Sequence, residues 1–307
     1  MTHNLSFAPG ASPARNRALG STVFLVLAAP LAYAQATVFE PGVISRGQNF
    51  GFTLAPNGQH AYFVRATPKR DTLVLLESTR RGGRWQLPTP VPLGLPARVR
   101  NIDPFATADG RRLIFNSTHH PGDSTRTDFN VWAVDLDPRG AVAGRSYPLG
   151  GAGVNSPASD FYATQATNGN LYFASDRPGG AGKIDVYRAR LSQGAYEAPV
   201  NLGPPINTAE SDSNPYVAPD ESYLLFFADR PGGFGDVDLY LSRRRPGDQW
   251  SEPVNLGPEV NTPDGEFCPF VDQRTQTLYF ARNIRKDGQL VREDIYSIPL
   301  NQLKVKL

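Results

Sequence analysis

The stretch of sequence that decides the fold is Asp229-Arg-Pro-Gly-Gly-Phe-Gly-Asp-Val-Asp-Leu-Tyr240. A near-copy, Asp176-Arg-Pro-Gly-Gly-Ala-Gly-Lys-Ile-Asp-Val-Tyr187, lies earlier in the chain, and an aromatic run precedes each copy. This order predicts a strand, a glycine-rich turn and a second strand, a unit that cannot bury its apolar face alone. Repeats with a period of roughly 20 to 50 residues are typical of solenoids, propellers and arrays.

Five copies of the unit can be recognised by their second strand, which ends in an aromatic residue. These strands are Ala61-Tyr-Phe63, Leu113-Ile-Phe115, Leu171-Tyr-Phe173, Leu225-Phe-Phe227 and Leu278-Tyr-Phe280. A turn signal such as Asn168-Gly169 and another short strand come before each of them, and a third strand follows. A fourth strand, with proline, closes most copies. Four short strands per unit without a helical period predict the blades of a β-propeller.

We therefore predict an all-β fold, a single β-propeller of four-stranded antiparallel blades, with five blades favoured and six as the alternative. The last copy stops after its third strand, whereas the segment from Thr37 looks like a fourth strand without a blade. We expect this segment to pair with the strand Asp294 to Ile298 and so to close the ring. The predicted repeats are approximately 44–94, 95–150, 151–205, 206–260 and 261–307, with 35–43 completing the last blade.

The first 34 residues are predicted to be a signal peptide. Arg15 and Arg17 precede an apolar core, and Ala32-Tyr-Ala34 resembles a cleavage site. An uncleaved membrane anchor is the alternative, but the apolar run is shorter than the roughly 20 residues that a span needs. We expect cleavage near Ala34 and a periplasmic or secreted protein without a transmembrane anchor.

Charge and cysteine content narrow the classes of partner. The formal charge of +2 is carried by the two arginines of the leader, so the remaining chain is balanced. The sequence lacks the stripe of basic residues that would indicate nucleic-acid binding. Cys268 is the only cysteine, which excludes an internal disulfide. We expect a monomer that interacts with an envelope protein or a cell-wall glycan.

The repeat resembles the TolB-type, WD-like β-propeller repeat family of bacterial envelope proteins. The similarity is most specific in the third and fourth copies, where Leu-Tyr-Phe, Asp-Arg-Pro-Gly-Gly, Asp-hydrophobic-Tyr and Asn-Leu-Gly occur in order. The first two copies depart from it, with Ala66-Thr-Pro-Lys-Arg and Thr118-His-His-Pro-Gly-Asp in place of the glycine turn. The resemblance implies a propeller used for recognition in the cell envelope.

The Asp-Arg-Pro-Gly-Gly segment allows two interpretations. Its carboxylates could surround Ca²⁺, but they are fewer than the six to eight oxygen ligands that this ion prefers. The favoured interpretation is a structural turn in which aspartates accept hydrogen bonds from arginine or backbone amides. The residues assigned to this structural motif are Asp176, Arg177, Asp185, Asp229, Arg230 and Asp238. No cofactor or metal is expected, with Ca²⁺ as the alternative.

A second candidate site emerges when the five copies are aligned on their innermost strands. The residue before the Pro/Phe position reads Gly51, Asp103, Asp160, Asn214 and Cys268, and the residue two positions upstream reads Asn49, Asn101, Ala158, Asp212 and Glu266, with Glu210 and Asp264 beyond. Innermost strands line the channel of a propeller, so these side chains should gather at one mouth. The candidate binding residues are Asp103, Asp160, Glu210, Asp212, Asn214, Asp264 and Glu266. The alternative is that they only hydrogen-bond the connecting backbone.

Motifs of known catalytic classes are missing from the sequence. There is no Gly-x-Ser-x-Gly elbow, no His-Glu-x-x-His and no P-loop. The sequence therefore predicts a non-enzymatic interaction module with no catalytic residues. The alternative is a propeller glycoside hydrolase or lyase, because such an enzyme needs only two or three carboxylates at the channel.

Overall fold

The computed structural model describes residues 35–67, 69–150 and 153–307. The predicted signal peptide lies outside these residues. The chain begins with β1 (Thr37–Val38) and then forms five successive groups of strands. Blade 1 comprises β2 (Asn49–Leu54), β3 (His60–Ala66), β4 (Leu73–Arg81), β5 (Arg84–Trp85) and β6 (Thr89–Pro90). Blade 2 comprises β7 (Asn101–Ala106), β8 (Arg112–Ser117), β9 (Asn130–Asp135) and β10 (Tyr147–Pro148).

The remaining blades follow the same order. Blade 3 comprises β11 (Asp160–Gln165), β12 (Leu171–Ser175), β13 (Asp185–Ala189) and β16 (Val200–Asn201), with a side hairpin of β14 (Leu191–Ser192) and β15 (Ala195–Tyr196). Blade 4 comprises β17 (Asp212–Val217), β18 (Tyr223–Ala228), β19 (Asp238–Arg245), β20 (Gln249–Trp250) and β21 (Val254–Asn255). Blade 5 comprises β22 (Gly265–Asp272), β23 (Thr277–Lys286) and β24 (Gln289–Pro299), and a single 3₁₀ turn, Leu300–Gln302, follows it.

All strand pairs within the blades are antiparallel, and the innermost strands β2, β7, β11, β17 and β22 contact one another around a central axis. The prediction of an all-β propeller with five blades is confirmed. No helix in the described part of the chain is long and apolar enough to cross a membrane.

The ring closes through the N-terminal strand, as predicted. β1 pairs with β24, placing Thr37 opposite Ser297 and Val38 opposite Tyr296. Beside it, the ring of Phe39 lies 5.3 Å from that of Phe52 in blade 1 and 5.0 Å from that of Tyr279 in blade 5. One segment therefore joins the first and last blades by backbone pairing and by aromatic packing.

The outer strands are short and interrupted. β5 and β6 both pair with β4, and Pro88 lies in the gap between them. A proline has no N–H to donate, so it is tolerated where one side of the strand faces no partner. The proline-containing fourth strands predicted from the sequence are these edge segments.

The cores lie between the blades and contain the aromatic second strands. The largest side chains that are fully buried include Tyr62, Phe63, Phe115, Tyr172, Phe173, Phe226 and Phe280, all from these strands. Because each blade covers the apolar face of the next, the repeat buries surfaces that one hairpin could not bury alone.

Every innermost strand carries an irregularity at the same position. The pairing shifts between Phe50 and Thr53 in blade 1 and at the corresponding place in the other four blades. The residues at the shift have a positive φ: Gly51, Asp103, Tyr162, Asn214 and Cys268, with values of 58°, 52°, 48°, 52° and 53°. A left-handed conformation is costly for residues other than glycine and is often retained at functional sites. These five positions are called the bulge residues below.

Candidate functional site

Three bulge residues meet in the channel. Cys268 Sγ lies 3.5 Å from Asn214 Oδ1 and 3.9 Å from Asp103 Oδ1, and the backbone N–H of Cys268 donates to Asn214 Oδ1 at 3.1 Å. The three side chains come from blades 5, 4 and 2. The bulges thus turn polar groups of blades 2, 4 and 5 towards one point.

Tyrosines fill the channel on the other side of this point. The hydroxyl of Tyr162 donates to the carbonyl of Pro269 at 2.9 Å, and that of Tyr216 donates to the carbonyl of Val271 at 3.0 Å. Where Asp103, Tyr162 and Phe270 meet, no cavity remains that would hold a water molecule. The packing of the tyrosines therefore closes the channel on this side of the bulge residues.

Asp103 is the bulge residue with the most unusual electrostatics. It is only 5% exposed, and this burial raises the pKa of its carboxyl to about 7, against the opposing influence of the Arg70 cation and of hydrogen bonds from the Tyr162 N–H and the Cys268 thiol. Near neutral pH the carboxyl is therefore present in both protonation states. Such a group can donate or accept a proton at that pH.

An ion pair at the channel mouth accompanies Asp103. Arg70 Nη1 lies 2.9 Å from both carboxylate oxygens of Glu293, and its guanidinium lies 4.7 Å above the ring of Phe50. Burial raises the pKa of Glu293 as well, although Arg70 opposes the shift. Burial raises the pKa of the Cys268 thiol, and the nearby carboxylates of Asp103 and Glu293 raise it further. We call Asp103, Asn214, Cys268, Arg70 and Glu293 the mouth cluster.

Sequence reasoning selected Asp103 and Asn214 and noted Cys268 in their column, but it missed Arg70 and Glu293. Arg70 lies in the first-blade turn, where the sequence departs from the repeat, and has a positive φ of 54°. Glu293 lies in the third strand of blade 5, directly before the aspartate of the Asp-hydrophobic-Tyr pattern. Neither residue recurs in the other copies, so aligning the copies could not reveal them.

The alignment of blade 3 was wrong by two residues. Tyr162, not Asp160, is the bulge residue of this blade, and Asp160 starts the strand as Asp212 does in blade 4. The other three non-glycine bulge residues precede a proline, which is absent from blade 3. Asp160 therefore belongs to the column that contains Asp212 and Glu266.

This second column forms a buried arginine–carboxylate pair in each of three blades. Arg177 binds Asp160 at 2.6 Å, Arg230 binds Asp212 at 3.0 Å and Arg282 binds Glu266 at 2.6 Å, and the side chains of all three acids are fully buried. Each guanidinium also lies over two aromatic rings of its own blade; for Arg230 these are Phe226 and Tyr240, both at 5.4 Å. We call these pairs the arginine clamps. Their carboxylates are neutralised within the blade and are not presented to a ligand.

The aspartates of the glycine-rich turn contact its backbone. Asp238 accepts hydrogen bonds from the N–H groups of Phe234 and Gly235 at 2.6 and 3.2 Å and from Asn255 Nδ2 at 2.8 Å. Asp185 makes the corresponding contacts in blade 3. A Cβ on Gly233 would come within 2.6 Å of Asp238 Oδ2, which explains glycine at that position.

The other candidate residues lie away from the mouth cluster. Asp176 accepts a hydrogen bond from the Ser159 N–H at 2.8 Å, whereas Asp229 is exposed. Glu210 forms an exposed ion pair with Lys183 at 2.6 Å. Asp264 accepts a hydrogen bond from the backbone N–H of Arg285 at 3.4 Å. Within residues 35–67, 69–150 and 153–307, no three His, Cys, Asp or Glu side chains are grouped so that they could hold a metal ion.

A separate pocket lies at the opposite end of the channel. It has a volume of about 200 Å³ and is lined largely by apolar side chains, among them Phe105, Tyr216 and Phe270. Asp272, its one carboxylate, accepts hydrogen bonds from Arg274 and Thr275. This end of the channel could accommodate a small apolar group, but it lacks a pair of carboxylates for acid–base chemistry.

No family model matches the sequence, and no curated protein matches it either. Solved structures do match. A putative TolB from Agrobacterium tumefaciens is 10% identical, covers 83% of this chain and 78% of its own, and gives a TM-score of 0.50. An α-L-arabinofuranosidase from Lactobacillus brevis is 14% identical, covers 85% and 92%, and gives a TM-score of 0.55. An exo-β-1,3-galactanase from Clostridium thermocellum is 12% identical, covers 89% and 65%, and gives a TM-score of 0.52.

At these identities the likeness concerns the fold. It supports the propeller and does not establish membership of the TolB-type family. The prediction that the chain is not an enzyme is contradicted by the comparison. That prediction relied on missing motifs, yet several proteins that share this fold are glycoside hydrolases by name. The chain is thus a five-bladed β-propeller whose fold is shared with carbohydrate-cleaving enzymes and with a putative TolB.

Proposed function

We propose that this protein binds a carbohydrate at the mouth cluster and cleaves a glycosidic bond there, as a hydrolase or a lyase. The observation that carries the proposal is Asp103, a buried carboxyl at a strained bulge with a pKa raised to about 7. The glycoside hydrolases among the similar folds add support.

Glycoside hydrolysis commonly uses two carboxyl groups, one of which protonates the leaving oxygen while the other acts as base or nucleophile. Asp103 has the pKa that suits the proton donor. Glu293 is the second carboxyl; burial raises its pKa, and the cation of Arg70 opposes that shift in favour of the ionised form. Phe267 is partly exposed beside Phe50, with 6.0 Å between ring centroids, and offers an apolar face to a sugar ring.

The experiment is to incubate the purified protein with a broad panel of glycans and to identify the products. We expect Asp103→Asn to lower the rate by at least about 100-fold, because general acid catalysis contributes about that much. Asp229→Asn, at an exposed position outside the mouth cluster, is the matched control and should keep full activity. An Asp103→Asn variant as active as the control would contradict the proposal, as would a full panel without any product.

A second candidate function is recognition of an envelope protein by the same face. Two observations favour it: the likeness to a putative TolB, and the exposed apolar side chains of Phe234 and Val291 on the hairpins of blades 4 and 5. Capture from an envelope fraction should then enrich one partner protein with the wild type and lose that protein with Phe234→Ser. Equal capture by both forms would count against it.

The proposal includes export and an envelope location, as the leader sequence indicates. It also includes a monomeric state and no bound metal, with Ca²⁺ as the alternative. Cell fractionation and size-exclusion chromatography test the first two points. For the third, the melting temperature should be the same in chelator as in added Ca²⁺, and a higher value in Ca²⁺ would favour a cation site.

A further inference from the structure

Blade 1 departs from the arginine clamps in a way that leaves a cation without its acid. In blade 5, Arg282 stands opposite Glu266 in the pairing of the first two strands and binds it. In blade 1, Arg65 pairs with Asn49 at the equivalent place. Arg65 and Arg282 each follow the last Phe of their aromatic strand by two residues. The arginine of the clamp is retained in this blade, but the carboxylate is replaced by an amide.

Asn49 cannot take over the role of the missing acid. It is fully buried and uncharged, and both of its polar atoms are used: Oδ1 accepts from the Arg46 N–H at 2.9 Å, and Nδ2 donates to the Val64 carbonyl at 3.2 Å. Among the residues that the structure describes, the Arg65 side chain forms no hydrogen bond or ion pair, and its Nη2 atom is buried without a partner. Leaving a buried charged donor unsatisfied is costly.

A second cation makes the position still less favourable for Arg65. Burial and the nearby charge of Arg46 both lower the pKa of Arg65. The side chain of Arg46 is exposed and likewise has no ion pair with any described residue. The neighbouring carboxylates are committed elsewhere: Glu293 binds Arg70, and Asp294 binds Arg292 and the Gly47 N–H.

We propose that Arg65 and Arg46 bind a carboxylate of the ligand, which takes the role of the acid that each arginine clamp draws from its own blade. An arginine matches a carboxylate through two parallel hydrogen bonds, so a ligand carboxylate would give the Arg65 guanidinium the partner that it lacks. The site adjoins the mouth cluster, because Phe50, the residue after Asn49, lies directly beneath Arg70. The ligand class is an acidic glycan containing a uronic acid; this identity rests on the proposed function, whereas the carboxylate site does not.

The direct test is calorimetric titration of the purified protein with galacturonate, with galactose as the neutral sugar. We expect saturable binding of galacturonate and none of galactose. Arg65→Gln should weaken binding at least about tenfold, since it removes the charge-assisted pair. The matched control is Arg139→Gln, at a side chain that is 86% exposed, and it should bind like the wild type. Equal affinity in Arg65→Gln and Arg139→Gln would overturn the inference.

Two further variants keep the test decisive if Arg65→Gln fails to fold. Arg46→Gln changes an exposed side chain and should still weaken galacturonate binding several-fold, because a surface charge contributes less than a buried one. Asn49→Asp restores the carboxylate of the other clamps, so it should pair with Arg65, raise the melting temperature and abolish galacturonate binding. Unchanged affinity in both variants would refute the site.

Two more arms separate this inference from the proposed function and define the ligand chemistry. Asp103→Asn should lose glycan cleavage but still bind galacturonate. Galacturonate binding that depends on Arg65, without cleavage of any glycan, would uphold the site and refute the enzyme. Inorganic phosphate is the competing anion, and binding of phosphate as tight as that of galacturonate would overturn the assignment to a carboxylate.

Discussion

Replacing Arg230 by Met should unfold the propeller at a clearly lower temperature. Arg230 Nη2 donates to Asp212 Oδ1 at 3.0 Å and to the carbonyls of Pro205 and Ile206 at 3.1 and 2.6 Å. Methionine keeps much of the packing volume between the two aromatic rings but none of these hydrogen bonds. The substitution therefore leaves a fully buried carboxylate without its cation.

The expected cost follows from what remains around the orphaned acid. Breaking a buried ion pair by removing one partner typically costs about 3 to 5 kcal/mol. Asp212 would keep its hydrogen bonds from the Thr208 N–H and hydroxyl at 2.6 and 2.7 Å, so we take the lower end, about 3 kcal/mol. For a chain of this size, that corresponds to a fall in melting temperature of about 6 °C or more.

Calorimetry or circular dichroism measures the effect, and Arg285→Met is the matched control. Arg285 pairs with Asp236 at 3.2 Å, but the two side chains are 44% and 59% exposed. An exposed pair contributes less than about 1 kcal/mol, so this control should shift the melting temperature by no more than about 2 °C. Adding Asp212→Asn to Arg230→Met should recover part of the loss. Equal melting temperatures for Arg230→Met and Arg285→Met would show that the arginine clamps do not stabilise the fold.

Three further predictions concern pH, the blade connectors and ring closure. The pKa of Asp103 is raised to about 7 in the folded protein, above its unfolded value of about 3.9. Over this range the unfolded chain releases the proton more readily than the folded one, so the wild-type protein should lose stability as the pH rises from about 4 to 7. Asp103→Asn should flatten that part of the melting-temperature profile, and parallel profiles would contradict the shift. Asn261 lies in the segment that connects β21 of blade 4 to β22 of blade 5. Asn261→Ala removes its two hydrogen bonds to the backbone of Leu239, at 2.9 and 3.0 Å, and should cost about 2 kcal/mol in denaturant titrations; no loss would mean that other groups hold this connector. Phe39→Ala should cost about 2 to 3 kcal/mol, since it deletes the ring between blades 1 and 5, and an unchanged midpoint would mean that β1 alone suffices for closure.

The fold could be predicted because its determinants recur. The aromatic strand recurs in all five copies and the glycine turn and Asn-Leu-Gly in two of them, so several weak signals reinforce one another. The closure could also be predicted, because a blade without a fourth strand and a strand without a blade stood at opposite ends of the sequence. Both inferences needed only local patterns and their spacing.

The site was only partly predictable, for a physical reason. A bulge is a backbone feature, and the five bulge residues are a glycine, an acid, a tyrosine, an amide and a thiol. In blade 3 no proline follows the bulge, and the alignment placed Asp160 there instead of Tyr162. Which acids are neutralised depends on arginines elsewhere in the same blade, so the sequence alone did not distinguish Asp160, Asp212 and Glu266 from Asp103.

The ring closure has a consequence for the order in which the protein can fold. The strand that seals the ring, β1, is separated from its partner β24 by almost the whole described chain, since Thr37 pairs with Ser297. Contacts between such distant residues form slowly, because a long loop must close before they stabilise anything. The first four blades can form as the chain emerges, but the fifth is complete only once β24 has been made and has paired with β1. Until the ring closes, the edge of β24 and the β1 segment are both unpaired, and either could pair with another copy of the chain. A high local concentration of partly synthesised chains should therefore favour the exchange of β1 strands between molecules.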